Sequence, residues 1–438
     1  MWREVFCKCE FCAGCYCFIS FLVDDFLGFH LLFDDLHKVL LMRLEKSKAG
    51  FLGFFLWVLV FYFFIFQPPV MPKLIYLALQ FVVFFMAVLF LNQRIGLYVN
   101  IFKLELILVF FVVLYSLIRD ALSGDVVYFD RFAGWFFQSF LFCGLLIVLY
   151  FSRSIKVDSL SYFSSEIYVA VLTAALVTLV LYFFPAIDSF YESIQLDGYY
   201  EIYSDFEKRY RAYGISENLT YTYSVVLGIC AGYSLILYRK SWLFVLLCPL
   251  FLFAVSVNAR IGFVGFVFFV FYIFFYSELK AKAIWLLSLL GLVSWFYFSS
   301  DDFIQENRWS LGFFLEAADF FYYGLEGSNI IAVLLNNHVH FPESVAGVVF
   351  GTGVSLYGSG LEKSSDIGYI LQLNYGGVII LIFLMLAIAF MSARLFKVLG
   401  YKHWFSWFFP ISIFVLNFKG FIFAMTPGGR FIFFFIVS

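Results

Sequence analysis

The chain has 438 residues, of which 64% are hydrophobic and 13% are charged, and its mean hydropathy is +0.95. Ordinary globular chains are about half apolar and roughly a quarter charged, so no soluble fold could bury this much apolar surface. Continuous apolar runs of about seventeen residues or more favour membrane-spanning α-helices over a β-barrel, whose strands are about ten residues long. The net charge of -2 gives no reason to expect a nucleic-acid partner.

The apolar runs therefore predict an all-α polytopic membrane protein with about 11–12 transmembrane helices. In chain order the predicted spans are 49–66, 74–91, 104–118, 132–151, 167–184, 219–238, 242–257, 261–276, 283–298, 367–391, 404–418 and 421–437. Pro427, Gly428, Gly429 and Arg430 interrupt the last of them, which is a full span, a re-entrant piece or a truncated helix. Residues 49–438 then form a single transmembrane domain.

The basic residues of the short loops predict the orientation, because Lys and Arg accumulate on the cytoplasmic side. They fall in alternate connections, at Arg43, Lys46 and Lys48; Arg94; Arg153 and Lys156; Arg239 and Lys240; Lys280 and Lys282; and Arg394, Lys397 and Lys402. Both termini are therefore predicted to be cytoplasmic. Two large loops, 185–218 and 299–365, face outward, and apolar pieces at 313–325 and 330–335 predict short amphipathic helices in the second.

The cytoplasmic tail, residues 1–48, has no assigned role and contains a cysteine cluster at Cys7, Cys9, Cys12, Cys15 and Cys17. Three of these cysteines have the C-x2-C-x2-C spacing of iron–sulfur ligands, but the closing x3-C-P is missing. The alternatives are a reduced tail without structure and an upstream extension from a misassigned start. Disulfides are not expected in a reducing compartment.

The first outer loop is dense in tyrosine and charge. Tyr rings have apolar faces and a polar tip that suit carbohydrate, and the planar guanidinium groups of Arg209 and Arg211 suit phosphate. The alternative interpretation is a solvated aromatic loop at the membrane interface.

Arg260 lies in a short hairpin between two spans of about sixteen residues, which is roughly 24 Å of helix against a hydrocarbon core of about 30 Å. Its guanidinium is therefore expected at or just inside the outer boundary of the membrane. A cation there either extends to the headgroup region or binds an anion such as a lipid diphosphate.

The second outer loop contains further candidates at Arg308, His338 and His340. Either histidine could act as a general base, and the pair could contribute to a metal site, although solvated loop histidines are commoner. Glycines at 351–353 and 358–360 predict a flexible connection at the end of this loop. No Gly-Lys-Ser/Thr follows them, so a P-loop is not indicated.

Three segments resemble the O-antigen polymerase (Wzy-type) family, within the group that also includes the O-antigen ligases. They are RAYGISENLTYTYSVVLG from Arg211, SVNARIGFVGF around Arg260, and SDIGYILQLNYGGVIILIF from Ser365. The late element NFKGFIF, from Asn417, is also similar. Ser365 stands where ligases carry a histidine, which argues against a ligase.

The resemblance implies a metal-independent membrane glycosyltransferase in the bacterial inner membrane, with no cofactor. It would polymerise oligosaccharide repeat units, carried on undecaprenyl diphosphate, into O-antigen or capsular polysaccharide at the periplasmic face. Arg211 and Arg260, with Arg209, would bind the diphosphate, and Glu217 and Asp366 are the candidate catalytic bases. Besides the lipid-linked substrate and the bilayer, a polysaccharide chain-length regulator is an expected partner.

Two alternatives remain open at this point. A ligase would move finished polymer to the lipid A core. A lipid-linked oligosaccharide flippase or other transporter would show repeated halves and charges within its spans, whereas this chain concentrates charge in two outer loops.

Overall fold

A computed structural model of the chain describes residues 51–68, 70, 72–123, 128–146, 165–194, 216, 221–237, 243–259, 261–276, 279, 282–283, 286–287, 338–354, 356, 365, 367–400, 404–419 and 430–431. Within these ranges the regular structure is helical and no strand is present. The helices are α1 (Phe51–Phe66), α2 (Lys73–Ile101), α3 (Lys103–Ser123), α4 (Tyr128–Trp135), a π-helix (Phe136–Cys143), α5 (Ser165–Phe183), α6 (Pro185–Ile194), α7 (Tyr221–Leu237), α8 (Leu243–Ser256), α9 (Gly262–Tyr276), α10 (Val345–Phe350), α11 (Gly368–Leu399) and α12 (Trp404–Lys419).

Three of the described helices, α3, α5 and α11, are long and apolar enough to cross a membrane. Shorter apolar helices lie at most of the other predicted spans, including α1, α7, α8, α9 and α12. The all-helical prediction is therefore confirmed for the described part of the chain, together with the presence of helices suited to a bilayer. Residues 1–48, the predicted amphipathic helices at 313–325 and 330–335, and most of the predicted spans at 283–298 and 421–437 lie outside the described residues.

Helix α7 is at the centre of the described bundle, and its side chains from Thr222 to Leu235 are buried. It packs closely against α9 through glycines, because a Cβ placed on Gly228 would lie 1.8 Å from the carbonyl oxygen of Gly262. Small residues at such contacts let helix backbones approach closely, as is common between membrane helices. Helix α2 is peripheral and exposes large apolar side chains such as Leu77 and Phe85. That exposure suits a helix that faces lipid.

Helices α3 and α11 form a second, antiparallel pair with polar contacts at both ends. Near one end Arg394 of α11 makes a salt bridge with Glu105 of α3, and near the other Tyr375 of α11 contacts Asp120 of α3. These contacts join helix ends that the basic-residue pattern assigns to the same side of the membrane. The end with Asp120 and Tyr375 is called the outer end of the pair, following that predicted orientation.

Three departures from regular helix affect the predicted boundaries. The span predicted at 132–151 begins as α4 and continues as the π-helix, and α11 contains a break at Gly377, where φ is +66°. The residues predicted to open the first outer loop are helical instead, because Pro185 starts α6 after a break at Phe184. Proline suits this first helical position because its missing N–H would have no partner there.

Candidate functional site

Most of the predicted site residues lie outside the described part of the chain: Arg209, Arg211, Glu217, Arg260, Arg308 and Asp366. The structure does describe His338 and His340. It also describes neighbours of three others, namely Ser216 before Glu217, Ala259 and Ile261 around Arg260, and Ser365 and Ile367 around Asp366. The positions of these neighbours show which helices carry each motif.

The neighbours of Glu217 and Arg260 both lie at the start of α7. The Ser216 hydroxyl donates to the carbonyl oxygen of Phe66 at the end of α1 (3.2 Å), and the Phe66 ring contacts that of Tyr223 in α7, with centroids 5.5 Å apart. Gly262, two residues after Arg260, packs against the backbone of Ser224. The end of the first outer loop and the Arg260 hairpin therefore join the same helix end.

The two histidines belong to a segment that packs against the outer end of α11. The Ser365 hydroxyl donates to the carbonyl oxygen of His338 (2.7 Å), and the Asn374 amide donates to the carbonyl oxygen of His340 (2.6 Å). Nδ1 of His338 is buried, and no described residue makes a hydrogen bond with it. Native structures leave few buried polar atoms unpaired, so this nitrogen is a position where a ligand atom or a water would be stabilised.

Residues 351–353, called the glycine turn below, are fixed against the break in α11 and do not form the predicted flexible connection. Thr352 N donates to the carbonyl oxygen of Asn374 (2.6 Å), and Gly353 N donates to that of Tyr375 (3.0 Å). A Cβ on Gly351 would lie 2.1 Å from the oxygen of Tyr375, and one on Gly377 would lie 2.3 Å from that of Val349. The glycines at 351 and 377 are thus required for close backbone approach, which the sequence pattern did not reveal.

Beside the glycine turn lies a polar cluster that the sequence analysis missed, formed by Arg119 and Asp120 of α3 and Tyr375 of α11. Asp120 is 3% exposed; its Oδ2 accepts from Phe129 N (2.8 Å), and its Oδ1 accepts from the Tyr375 hydroxyl. Arg119 points elsewhere, and its Nη2 donates to the carbonyl oxygen of Gly351 (2.8 Å). The sequence signal was the Arg-Asp pair that ends an apolar run, which we interpreted as a span boundary.

The π-helix contacts the end of α1, and the adjoining helix α4 contacts this cluster. Gln138, in the π-helix, accepts hydrogen bonds from Gln67 Nε2 (3.2 Å) and from Arg430 Nη1 (3.0 Å), while Arg430 Nε donates to the carbonyl oxygen of Ile65 (3.0 Å). In the preceding helix, the Phe132 ring lies 6.5 Å from that of Tyr375. Six residues separate Phe132 from Gln138, which is about 9 Å of helix at about 1.5 Å per residue.

Two other kinds of site do not fit the described residues. No group of three His, Cys, Asp or Glu side chains is placed there to hold a metal ion. A cavity of about 500 Å³ between α11 and α12 is lined by Ser392, Phe396, Trp407 and further apolar residues, and no charged side chain lines it. That cavity is therefore unsuited to a diphosphate.

Comparisons of the chain with protein-family models, with curated proteins and with solved structures find no match. The family resemblance therefore rests on the sequence segments at Arg211, Arg260, Ser365 and Asn417.

Proposed function

We propose that this protein is a polysaccharide polymerase that joins oligosaccharide repeat units carried on undecaprenyl diphosphate at the outer face of the bacterial inner membrane. It works as a multi-pass membrane protein with both termini in the cytoplasm and with loops 185–218 and 299–365 outside. The product is O-antigen or a capsular polysaccharide.

The observation that carries the proposal is that the segments resembling the family adjoin helix ends linked by continuous contacts. Ser216, next to Glu217, contacts Phe66 at the end of α1, whose ring contacts Tyr223 of α7. Gly262, two residues after Arg260, packs against Ser224 of α7, and Ser365 joins the histidine segment to the start of α11. Between these two regions, Gln67 after α1 donates to Gln138 of the π-helix, and Phe132 of the adjoining helix α4 contacts Tyr375 of α11. We infer that one extended substrate binds across this face and contacts all three motifs.

The proposed reaction is a glycosyl transfer from a diphosphate leaving group. A hydroxyl oxygen of the acceptor repeat attacks the anomeric carbon of the donor chain, and the bond from that carbon to the diphosphate oxygen breaks. The proton of the hydroxyl passes to a base, for which Glu217 and Asp366 are the candidates, and undecaprenyl diphosphate leaves. Arg211, Arg260 and Arg209 stabilise the negative charge that develops on the leaving group, so no metal is required.

Surface polysaccharide from a deletion strain, separated on a gel, tests the proposal. Loss of a polymerase leaves the lipid A core with a single repeat unit, loss of a ligase leaves it with none, and loss of a flippase leaves repeat units on the cytoplasmic side. We expect cores with a single repeat. A normal ladder of chain lengths would contradict the proposal.

Complementing that strain with variants tests the assigned cations. Arg260→Ala and Arg211→Ala are expected to abolish long chains at unchanged protein levels. Each change removes a positive charge that stabilises the negative charge on the leaving group. Arg239→Ala, at an arginine predicted on the cytoplasmic side, is the matched control and should restore the ladder. Normal ladders from Arg260→Ala and Arg211→Ala would remove both residues from the diphosphate site.

A further inference from the structure

Arg119 has more hydrogen-bonding capacity than its surroundings use. A guanidinium carries five N–H donors in a planar fork. Among the described residues, Nη2 is the one nitrogen of Arg119 with a partner, the Gly351 carbonyl oxygen at 2.8 Å. Nε is buried, and within the described part of the chain nothing accepts a hydrogen bond from it. An arginine needed only to hold the glycine turn would have its buried donor satisfied.

The neighbouring carboxylate does not neutralise this arginine by direct pairing. Asp120 is buried, and its two oxygens accept hydrogen bonds from the Tyr375 hydroxyl and from Phe129 N. Its negative charge is therefore held in the helix interface, while Arg119 is only partly buried. Because a cation at the end of a span is costly in hydrocarbon, its position favours an anion from the headgroup region.

The glycine turn lies directly against the guanidinium. At Gly353, where φ is +75°, a Cβ would lie 3.2 Å from Nη2 of Arg119 and 3.1 Å from Cβ of Ser123. Glycine thus brings the turn close to the arginine without a side chain that would cover it. Tyr115 holds the same segment independently, because its hydroxyl donates to the carbonyl oxygen of Phe350 (2.7 Å).

We propose that Arg119, held beside the glycine turn, binds the phosphate of a lipid headgroup at the outer surface. A planar guanidinium binds phosphate oxygens in pairs, which a lysine cannot do. That the ligand is the lipid-linked diphosphate of the substrate rests on the proposed function, whereas phosphate binding at Arg119 does not. A phospholipid headgroup has the same chemistry and is the other source to be tested.

The test is binding to the full chain in nanodiscs of phosphatidylcholine, with undecaprenyl diphosphate, phosphatidylglycerol and inorganic pyrophosphate as separate probes. For undecaprenyl diphosphate we expect Arg119→Gln to weaken binding about tenfold or more, and Arg119→Lys to weaken it less, since a charge remains without the fork. Phosphatidylglycerol and pyrophosphate are expected to bind more weakly, since each lacks either the diphosphate or the lipid.

Two control variants separate binding from support of the fold. Tyr115→Phe removes a hydrogen bond to the same segment without changing charge, and Lys103→Gln removes an exposed charge at the opposite end of α3. Both should bind undecaprenyl diphosphate as the unmodified chain does. The proposal would be overturned if Tyr115→Phe and Arg119→Gln lowered the affinity for undecaprenyl diphosphate equally, or if Arg119→Gln left that affinity unchanged. Arg119→Lys gives the same decision if Arg119→Gln does not fold.

The outcomes also separate this inference from the proposed function. If Arg119→Gln weakens the binding of phosphatidylglycerol as much as the binding of undecaprenyl diphosphate, the site binds phospholipid. The assignment of the ligand as the lipid-linked diphosphate is then wrong. If the deletion strain keeps a normal polysaccharide ladder while Arg119 still governs binding, the polymerase proposal fails and the phosphate site stands.

Discussion

The two ends of the α3–α11 pair each combine an arginine with a carboxylate, yet they use them differently. At one end Arg394 donates to both oxygens of Glu105, with distances of 2.9 to 3.1 Å. At the outer end both oxygens of Asp120 accept hydrogen bonds, one from the Tyr375 hydroxyl and one from a backbone N–H. Among the described residues, Arg119 donates to one carbonyl oxygen. The same residue types thus form a closed pair at one end and leave an available cation at the other.

This difference separates structural charge from functional charge within one pair of helices. Glu105 is fully buried and its charge is fully compensated, so it fixes the packing of α3 on α11. Arg119 has an unused buried donor, which costs free energy unless a ligand or water meets it. Changes at the closed end should therefore alter stability, and changes at Arg119 should alter binding.

The largest stability effect is expected from breaking the closed pair on its exposed side. Arg394→Gln leaves the buried Glu105 carboxylate without a counterion, and removal of one partner of a buried pair costs about 3–5 kcal/mol; because Arg394 is partly exposed, we expect about 2–4 kcal/mol. Glu105→Gln leaves an arginine that can reach water, so about 1 kcal/mol is expected. Thermal unfolding of the purified protein measures both.

A double variant provides the control for this asymmetry. In Glu105→Gln with Arg394→Gln no buried charge remains, so the double variant should be more stable than Arg394→Gln alone. Equal destabilisation by the two single changes would show that the ion pair does not hold this end in the way described.

A smaller loss is expected at the outer end from Asp120→Asn. The amide keeps one acceptor oxygen for one of the two donors, while its N–H₂ group takes the place of the oxygen that the other donor used; loss of that hydrogen bond costs about 1–3 kcal/mol. The midpoint of thermal unfolding should fall accordingly. Backbone amides of the glycine turn should exchange hydrogen faster, because the carbonyl oxygen of Tyr375 accepts a hydrogen bond from Gly353 N in that turn. An Asn variant as stable as the unmodified chain would mean that the carboxylate is not needed in this cluster.

The smallest effect is expected at a neutral contact near the same end. Gln372 of α11 and Asn417 of α12 exchange two side-chain hydrogen bonds, at 2.9 and 3.1 Å. Such bonds between membrane helices contribute on average about 0.6 kcal/mol and at most about 1.7, so Gln372→Leu should lower stability by about that amount. Binding of undecaprenyl diphosphate should not change. A change in that binding would mean that contacts between fully paired side chains at this end also affect the affinity for the ligand. The contrast between these contacts and Arg119 would then be lost.

The sequence predicted most of the helical spans because apolar runs are a local signal. It ended three helices too early, at Leu91, Ile118 and Met391, whereas α2 continues to Ile101, α3 to Ser123 and α11 to Leu399. Charged residues after each run were interpreted as entry into water. In the structure Arg119 and Arg394 instead find partners 232 and 289 residues away, which no local pattern can reveal.

The candidate site was predicted less completely for the same reason. The histidines were identified by their chemistry, but their segment contacts Ser365 and Asn374 across 27 and 34 residues, which no local pattern can reveal. The assigned roles of Arg211, Arg260, Glu217 and Asp366 remain predictions.

The most direct test is polymerisation by the purified protein, reconstituted alone in vesicles with repeat units on undecaprenyl diphosphate outside. We predict a ladder of longer chains, one undecaprenyl diphosphate released for each bond formed, and full activity in the presence of a metal chelator. Movement of the lipid-linked unit across the membrane, with no lengthened product and no released diphosphate, would contradict the assignment and indicate a transporter.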